Sequence, residues 1–128
     1  MDELYADRSG SIRKNSADPE VLSPPGGGFL IIDVEGRPAA CGGFKRFDRA
    51  CGEIKRMYVL PELRGRGLGL ALLNALEDRL RSTGYTVARL DTGDRQPHAR
   101  RLYLGAGYHE ISDYNANPLA AFWFEKSL

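Results

Sequence analysis

A glycine-rich segment between a strand pattern and a leucine-rich helix pattern constrains the fold of this chain more than any other feature. The run Glu53–Val59 predicts a strand. Leucines then recur every fourth residue over Leu68–Ser82, which predicts an amphipathic helix ended by Gly84. The run Tyr85–Asp91 predicts a further strand. A strand, a helix and a strand in succession make a βαβ unit, so we expect parallel strands with a right-handed connection.

The predicted strand Glu53–Val59 carries apolar residues on both of its faces. Strict alternation puts Ile54 and Tyr58 on one face. It puts Met57 and Val59 on the opposite face. A strand that is covered on both faces belongs in the interior of a sheet, so we expect this strand to be central.

The segments around the βαβ unit predict a hairpin before it and short elements after it. The strands of the hairpin are Phe29–Val34 and Ala39–Phe47, joined by a turn at 35–38. Pro97 opens a short helix that runs to Leu104. Two strands close the chain, at Tyr108–Ile111 and Ala120–Glu125. The order of these elements predicts an α/β fold.

Length, charge and cysteine content narrow the class of protein. The 128 residues suit a single domain over 1–128, with its motif-bearing core at 29–128. A net charge of +1, from 18 basic and 17 acidic residues, favours neither nucleic acid nor an anionic membrane. The sequence has no apolar run near the ~18 residues of a membrane span and no signal-peptide pattern. Cys41 and Cys51 lack metal-type spacing, so we expect reduced thiols, no metal ion and a cytoplasmic location.

The glycine-rich segment LRGRGLG, Leu63–Gly69, lies where the central strand feeds the predicted helix. Unpaired N–H groups and the helix dipole attract anions there, and glycine lets a ligand approach the backbone closely. Arg64 and Arg66 add positive charge. One interpretation is a phosphate-binding loop, and the other is tight packing of helix on strand. The spacing matches neither a Walker loop nor a dinucleotide fingerprint.

Two motifs together resemble those of the GCN5-related N-acetyltransferases, the GNAT family. The first is Arg64-x-x-Gly67-x-Gly69, preceded by MYVLPEL and followed by the leucine-rich helix. The second is QPHARRLYLGAGY at 96–108, with an alanine, then Leu-Tyr, then Gly-Tyr. The resemblance covers Phe29 to Leu128. It implies a GNAT-type mixed sheet with a central splayed pair of parallel strands and flanking helices, shortened at the N-terminus.

The resemblance implies that acetyl-CoA is the co-substrate. The pantetheine arm would lie between the splayed strands and pair with backbone groups near Met57 and Val59. Backbone N–H groups of the glycine-rich loop would hold the pyrophosphate. Gln96 stands where the family often has asparagine, and it would hydrogen-bond CoA or the acceptor. The cofactor-binding residues implied are Met57, Val59, Arg64, Gly65, Arg66, Gly67, Leu68, Gly69, Gln96 and Tyr103.

The resemblance further implies direct transfer of the acetyl group to a primary amine of a small molecule or peptide, with no nucleophilic side chain. Tyr103, at the Leu-Tyr position, would donate a proton to the leaving sulfur. Glu53 would take the proton of the amine through water. Each residue has a structural alternative: Tyr103 would pack a short helix, and Glu53 would be a solvated carboxylate or pair with Lys55 or Arg56.

The N-terminal segment departs from the family pattern of an opening strand and two helices. We expect only a short helix over Asp2–Arg8 and a loop over Ser9–Gly28. The acceptor pocket would then be open, supplied by a partner subunit, or lost. A homodimer is therefore expected, in which Ala121–Lys126 of one subunit covers the hairpin edge of the other and buries Trp123 and Phe124. The alternative is that Met1–Gly28 folds back over this edge.

Two other classes of function are compatible with parts of the sequence. A non-catalytic CoA-binding module would keep the loop motif without a complete acceptor site, but Glu53 and Tyr103 favour an enzyme. A nucleic-acid binder would use Arg95, Arg100 and Arg101. The near-zero net charge and the lack of interleaved aromatic residues argue against it, and these arginines could instead meet the 3′-phosphate of CoA.

Overall fold

The structure, a computed structural model, describes residues 22–94 and 97–128, and these form a mixed α/β fold. The strands are β1 Gly28–Val34, β2 Arg37–Arg46, β3 Cys51–Val59, β4 Val87–Thr92, β5 His109–Ile111 and β6 Phe122–Ser127. The helices are α1 Leu68–Thr83 and α2 Pro97–Gly105, with a short 3-10 helix at Pro61–Leu63. The strands and helices predicted from Phe29 onward are present, with small shifts at their ends. Within the described ranges, no helix has the length and apolar character needed to cross a membrane.

The strands form one sheet in the order β1-β2-β3-β4-β6-β5. Only the β3–β4 pair is parallel, and the other neighbours are antiparallel. Helix α1 connects the two parallel strands, so the predicted βαβ unit is confirmed. The parallel pairing is short and ends at Glu53 and Arg89, although both strands continue. The two central strands therefore splay apart, as the resemblance implied.

Both helices pack on one face of the sheet and enclose the core. Leu72, Leu76 and Leu80 of the leucine stripe are fully buried there. Gly84 caps α1 at φ +110°, and its N–H donates to the carbonyls of Leu80 and Arg81. Alternation along β4 directs Ala88 and Leu90 toward this core. Arg89 and Asp91 consequently lie toward the opposite face of the sheet. The fold thus separates an apolar helix face from a polar face at the splayed strands.

The prediction that Met57 and Ile54 lie on opposite faces of the strand is wrong, because β3 contains a bulge. Arg56 has a φ of +66°, and the pairing register between β2 and β3 shifts in the same region. An extra residue in one strand moves the side chains that follow it to the other face. Met57 therefore joins Ile54 in the core against α1, instead of lying opposite it.

The prediction that the last strand covers the hairpin edge of a partner subunit is wrong. β6 is paired on one side with β4 and on the other with β5 of its own chain. Phe124 is 0% exposed within the chain's own core. A strand whose backbone is paired on both sides is not available to cover a partner's edge. The expectations for Asp2–Arg8 and most of Ser9–Gly28 lie outside the described residues, and the homodimer itself stays a prediction.

Gly52 in β3 lies beneath α1 with no room for a side chain. A Cβ there would overlap Leu80 Cδ2 and lie 3.0 Å from Tyr85 Cδ2, and both neighbours are buried. We expect Gly52→Ala to lower the free energy of unfolding by about 1–3 kcal/mol, because extra volume strains a closed core. Gly105→Ala is the control, since a Cβ at Gly105 meets nothing within 4 Å. Chemical denaturation compares the two, and a Gly52→Ala protein as stable as the parent would contradict the packing described.

Candidate active site

A groove of about 530 Å³ runs between the end of β3, the start of α1 and one side of α2. Most of its lining is apolar side chain and glycine backbone, and its position follows from the divergence of β3 from β4. A concave apolar site with a few polar groups is the usual form of a small-molecule pocket. The residues that line it are Met57, Tyr58, Val59, Arg64, Gly65, Gly67, Leu68, Gly69, Leu70, His98, Ala99, Leu102 and Tyr103.

The glycine-rich loop presents bare backbone to this groove. Gly65 and Gly67 both have φ +81°, and a Cβ at either position would meet nothing within 4 Å. Gly67 is the N-cap of α1, with no side-chain cap, and no acidic residue lies in the first helical turn. The N–H groups at this helix start therefore have no capping side chain to satisfy them. Such an end is suited to an anionic ligand because the N–H groups and the helix dipole act together.

The two arginines of the loop have different positions. Arg64 Nε donates a hydrogen bond to the carbonyl of Val59 at 2.9 Å, and its guanidinium lies 5.4 Å from the centre of the Tyr58 ring. These contacts tie the loop to the end of β3 and place Arg64 on the groove wall. Arg66 is exposed and does not line the groove. Only the first arginine is therefore built into the cavity.

Tyr103 joins the groove to a second, smaller cavity between the splayed strands. Its side chain is 4% exposed, and its hydroxyl donates to Met57 Sδ at 3.7 Å. The second cavity, of about 10 Å³, is close to the room that one water molecule needs. Met57 and Tyr103 line both cavities. The other residues that line the smaller one are Ile54, Lys55, Arg56, Leu90 and Asp91.

The ring of Tyr103 is held by two aromatic neighbours, one on β6 and one in the segment just before β5. Its centroid lies 5.6 Å from that of Phe124 and 6.0 Å from that of Tyr108. Tyr108 in turn donates to the buried carboxylate of Glu77 at 2.8 Å, which also accepts from Lys126 Nζ at 3.0 Å. Burial, and then the bond to Glu77, raise the pKa of Tyr108, so its hydroxyl stays a donor. The position of Tyr103 is thus fixed by packing and by an anchored neighbour.

Glu53 lies on the polar face of the sheet, and its buried carboxylate is held by several donors. The residue is 3% exposed. Its Oε2 accepts from the Tyr114 hydroxyl at 2.8 Å and from Asn115 Nδ2 at 3.0 Å, with Lys55 Nζ at 3.3 Å. Burial, and then the Glu53 charge, raise the pKa of Tyr114, which keeps that phenol protonated. Glu53 is thus neither a solvated strand-end carboxylate nor a lining residue of either cavity.

The sequence did not single out Asp91 near the end of β4, which is a further buried carboxylate on the polar face. Its Oδ2 accepts from Asn115 Nδ2 at 2.6 Å and from Asn117 Nδ2 at 3.2 Å, with Lys55 Nζ at 3.3 Å. The Asn115 side chain therefore bridges two carboxylates on different strands. Trp123 Nε1, which can only donate, bonds to Asn115 Oδ1 at 2.9 Å and fixes the orientation of the amide.

The two cysteines lie apart from this chemistry. Cys41 and Cys51 are both buried, and they are not joined in a disulfide. Burial raises the pKa of the Cys51 thiol to about 12, so this thiol is a poor nucleophile at neutral pH.

A model of the acetyltransferase (GNAT) family matches residues 1–108. The chain belongs to the GNAT family. An IAA acetyltransferase from Azospirillum brasilense is 30% identical over 132 residues, which cover 100% of this chain and 86% of that protein.

Solved structures share the GNAT fold with this chain. One from Klebsiella pneumoniae, assigned as an acyl-CoA N-acyltransferase, superposes with a TM-score of 0.78 at 30% identity, covering 100% of this chain and 90% of its own. A PaiA N-acetyltransferase from Thermoplasma acidophilum, in complex with coenzyme A, gives a TM-score of 0.73 at 17% identity. That match covers 98% of this chain and 74% of the other. The splayed mixed sheet is therefore the architecture of this family.

Most residues that the sequence nominated for the GNAT cofactor lie together on the groove. Met57, Val59, Arg64, Gly65, Gly67, Leu68, Gly69 and Tyr103 line it. Arg66 does not, and Gln96 lies outside the described residues. Sequence reasoning missed Tyr58, Leu70, His98, Ala99 and Leu102. Ala99 and Leu102 could have been found from the sequence, because they form an apolar face on the short helix that begins at Pro97.

Proposed function

We propose that this GNAT-family chain transfers the acetyl group of acetyl-CoA to a primary amine of a small molecule or peptide by direct attack. The observation that carries the proposal is the position of Tyr103. This buried residue lines both the groove that begins at the glycine-capped helix and the gap between β3 and β4. A proton donor at that junction would serve the sulfur that leaves when a thioester in the gap is attacked.

The residues present fit acetyl-CoA. The bare helix start at Gly65 and Gly67 supplies N–H groups for a pyrophosphate, and the apolar wall from Met57 to Val59 suits a pantetheine arm. Acetyl-CoA would supply the activated acyl group. Tyr103 already contacts a thioether sulfur at 3.7 Å in this structure, which is a weak acceptor and easily exchanged for a better one.

The group that would receive the proton of the amine lies on the polar face of the sheet. An alkyl ammonium must lose a proton before it attacks, and a buried carboxylate is the group suited to receive it. Glu53 is the carboxylate that the sequence nominates, and its Oε2 is immobilised by Tyr114 and Asn115. Its other oxygen, Oε1, faces Lys45 Nζ at 3.8 Å. Related proteins are named for acceptors as different as IAA and aminoalkylphosphonates, so the proposal is confined to the amine class.

A turnover screen tests this function. The purified chain is mixed with acetyl-CoA and panels of amino acids, polyamines, aminoglycosides and peptides, and the release of free thiol is followed. We expect thiol release that depends on the amine, and mass spectrometry should show the acetylated product. Acetyl-CoA binding by calorimetry, combined with no amine-dependent release in any panel, would support the non-catalytic CoA-binding module instead.

A further inference from the structure

Asp91 is the buried carboxylate closest to the proposed chemistry. It lines the small cavity between the splayed strands together with Tyr103 and Met57, whereas Glu53 does not. Its side chain is 2% exposed, so the charge faces the protein interior and the gap. A buried carboxylate is costly unless nearby groups compensate it, and such groups concentrate at functional sites.

The two oxygens of Asp91 have different surroundings. Lys55, Asn115 and Asn117 all contact Oδ2. Within residues 22–94 and 97–128, no hydrogen bond to Asp91 ends on Oδ1. The donors therefore hold the carboxylate by one oxygen and leave the other for a group that enters the cavity.

We propose that Asp91 is a further catalytic residue, which binds the acceptor ammonium in the gap and takes its proton. This role rests on the acetyltransferase function proposed above. The N–H bond breaks and the proton passes to Asp91 Oδ1, directly or through one water. The freed nitrogen lone pair forms the bond to the thioester carbon, and the carbon–sulfur bond breaks. The sulfur receives a proton from Tyr103, and the second proton of the acylated nitrogen passes through water to restore the Tyr103 hydroxyl.

Asn115 acts as a positioning residue for this step. Its two N–H groups hold Asp91 and Glu53, and its oxygen is fixed by Trp123 and by the backbone N–H of Asn117 at 3.2 Å. All four hydrogen-bonding positions of the amide are used, so it cannot rotate without leaving a partner unpaired. Glu53, on the other side of the Asn115 amide, adds a second negative charge near Asp91. This charge favours the binding of an ammonium group.

The basic groups around the Asp91 and Glu53 pair come from two strands. From β3, Lys55 contacts both carboxylates, and Arg56 lines the same cavity. From β2, Lys45 faces Glu53 rather than Asp91. One shared ammonium, Lys55, thus lies between the two acids, and a substrate ammonium would be a second cation in the cluster.

The test compares Asp91→Asn with Glu53→Gln across a range of pH. At pH 7 we expect Asp91→Asn to lose about 10²-fold or more in turnover, the usual contribution of a general base, and Glu53→Gln to lose less. The Asp91→Asn defect should shrink as pH rises, because a larger fraction of the amine is then already deprotonated in solution. Acetyl-CoA affinity, measured by calorimetry, should be unchanged in both variants.

Control variants separate a catalytic role of Asp91 from a structural one. Asp78→Asn changes a carboxylate that is 78% exposed on α1 and should act like the parent. Asp91→Ala should regain turnover when formate is added, which a purely structural carboxylate would not allow. A larger defect in Glu53→Gln than in Asp91→Asn, or an Asp91→Asn defect that is constant with pH, would overturn the role of Asp91 and leave the enzyme intact. A parent that acetylates no amine would overturn both proposals.

Discussion

Tyr103→Phe is expected to reduce turnover by about 10²–10⁴-fold, the range that a general acid contributes. The substitution keeps the ring, which packs against Phe124 and Tyr108, and removes only the hydroxyl that donates to Met57 Sδ. Binding of acetyl-CoA should therefore change little. Steady-state kinetics at saturating acetyl-CoA, together with calorimetry, separate the loss of a proton donor from the loss of a binding contact.

Tyr85→Phe is a matched control for Tyr103→Phe. It also removes a buried phenol, whose hydroxyl donates to the Gly26 carbonyl at 2.6 Å, far from the groove. Its turnover should equal that of the parent even where its melting temperature falls. If Tyr103→Phe turned over at the parental rate while chemistry limited the reaction, Tyr103 would return to a packing role on α2.

Gly67→Asp should weaken acetyl-CoA binding by well over tenfold, which corresponds to more than ~1.4 kcal/mol. An aspartate at the N-cap would accept hydrogen bonds from the first N–H groups of α1 and place a negative charge where the pyrophosphate is expected. It would also fill a position where the bare backbone now faces the groove. Isothermal titration with acetyl-CoA measures the effect.

Gly36→Asp separates this effect from backbone strain. Gly36 has the same φ of +81° as Gly67, and a Cβ there also meets nothing within 4 Å, but it lies in the β1–β2 turn away from the groove. Both variants carry the same conformational cost for a residue with a side chain. Parental affinity in Gly67→Asp, or an equal loss in both variants, would refute the assignment of the loop to the pyrophosphate.

Local patterns in the sequence were sufficient for the βαβ unit and for most residues of the groove. The leucine stripe, the capping glycine and the Gly65–Gly69 spacing are all set by neighbours along the chain, so periodicity and turn chemistry identify them. The groove residues cluster because they lie at the end of one strand and the start of the next helix. The assignment of Tyr103 needed more, since the resemblance to GNAT proteins supplied its role.

The polar face could not be predicted in the same way. Glu53 was recognised as a carboxylate at the start of a strand, but its partners Tyr114 and Asn115 lie 61 and 62 residues away along the chain. No periodic pattern connects such positions, because a loop can dock on a sheet in many registers. The sequence also assigned β6 to a partner subunit, since its apolar composition does not reveal that both of its edges are paired within the chain.

The sequence by itself therefore determined the order of the elements, the parallel pair and the glycine-rich start of α1, all of which depend on short-range stereochemistry. Only the tertiary structure decided which side chains meet at the gap. The bulge at Arg56 moved Met57 to the core face, where it contacts Tyr103. The end of the parallel pairing at Glu53 opened the cavity that Asp91 lines. Both outcomes arise from strand register and loop docking. These depend on contacts between residues that are far apart along the chain.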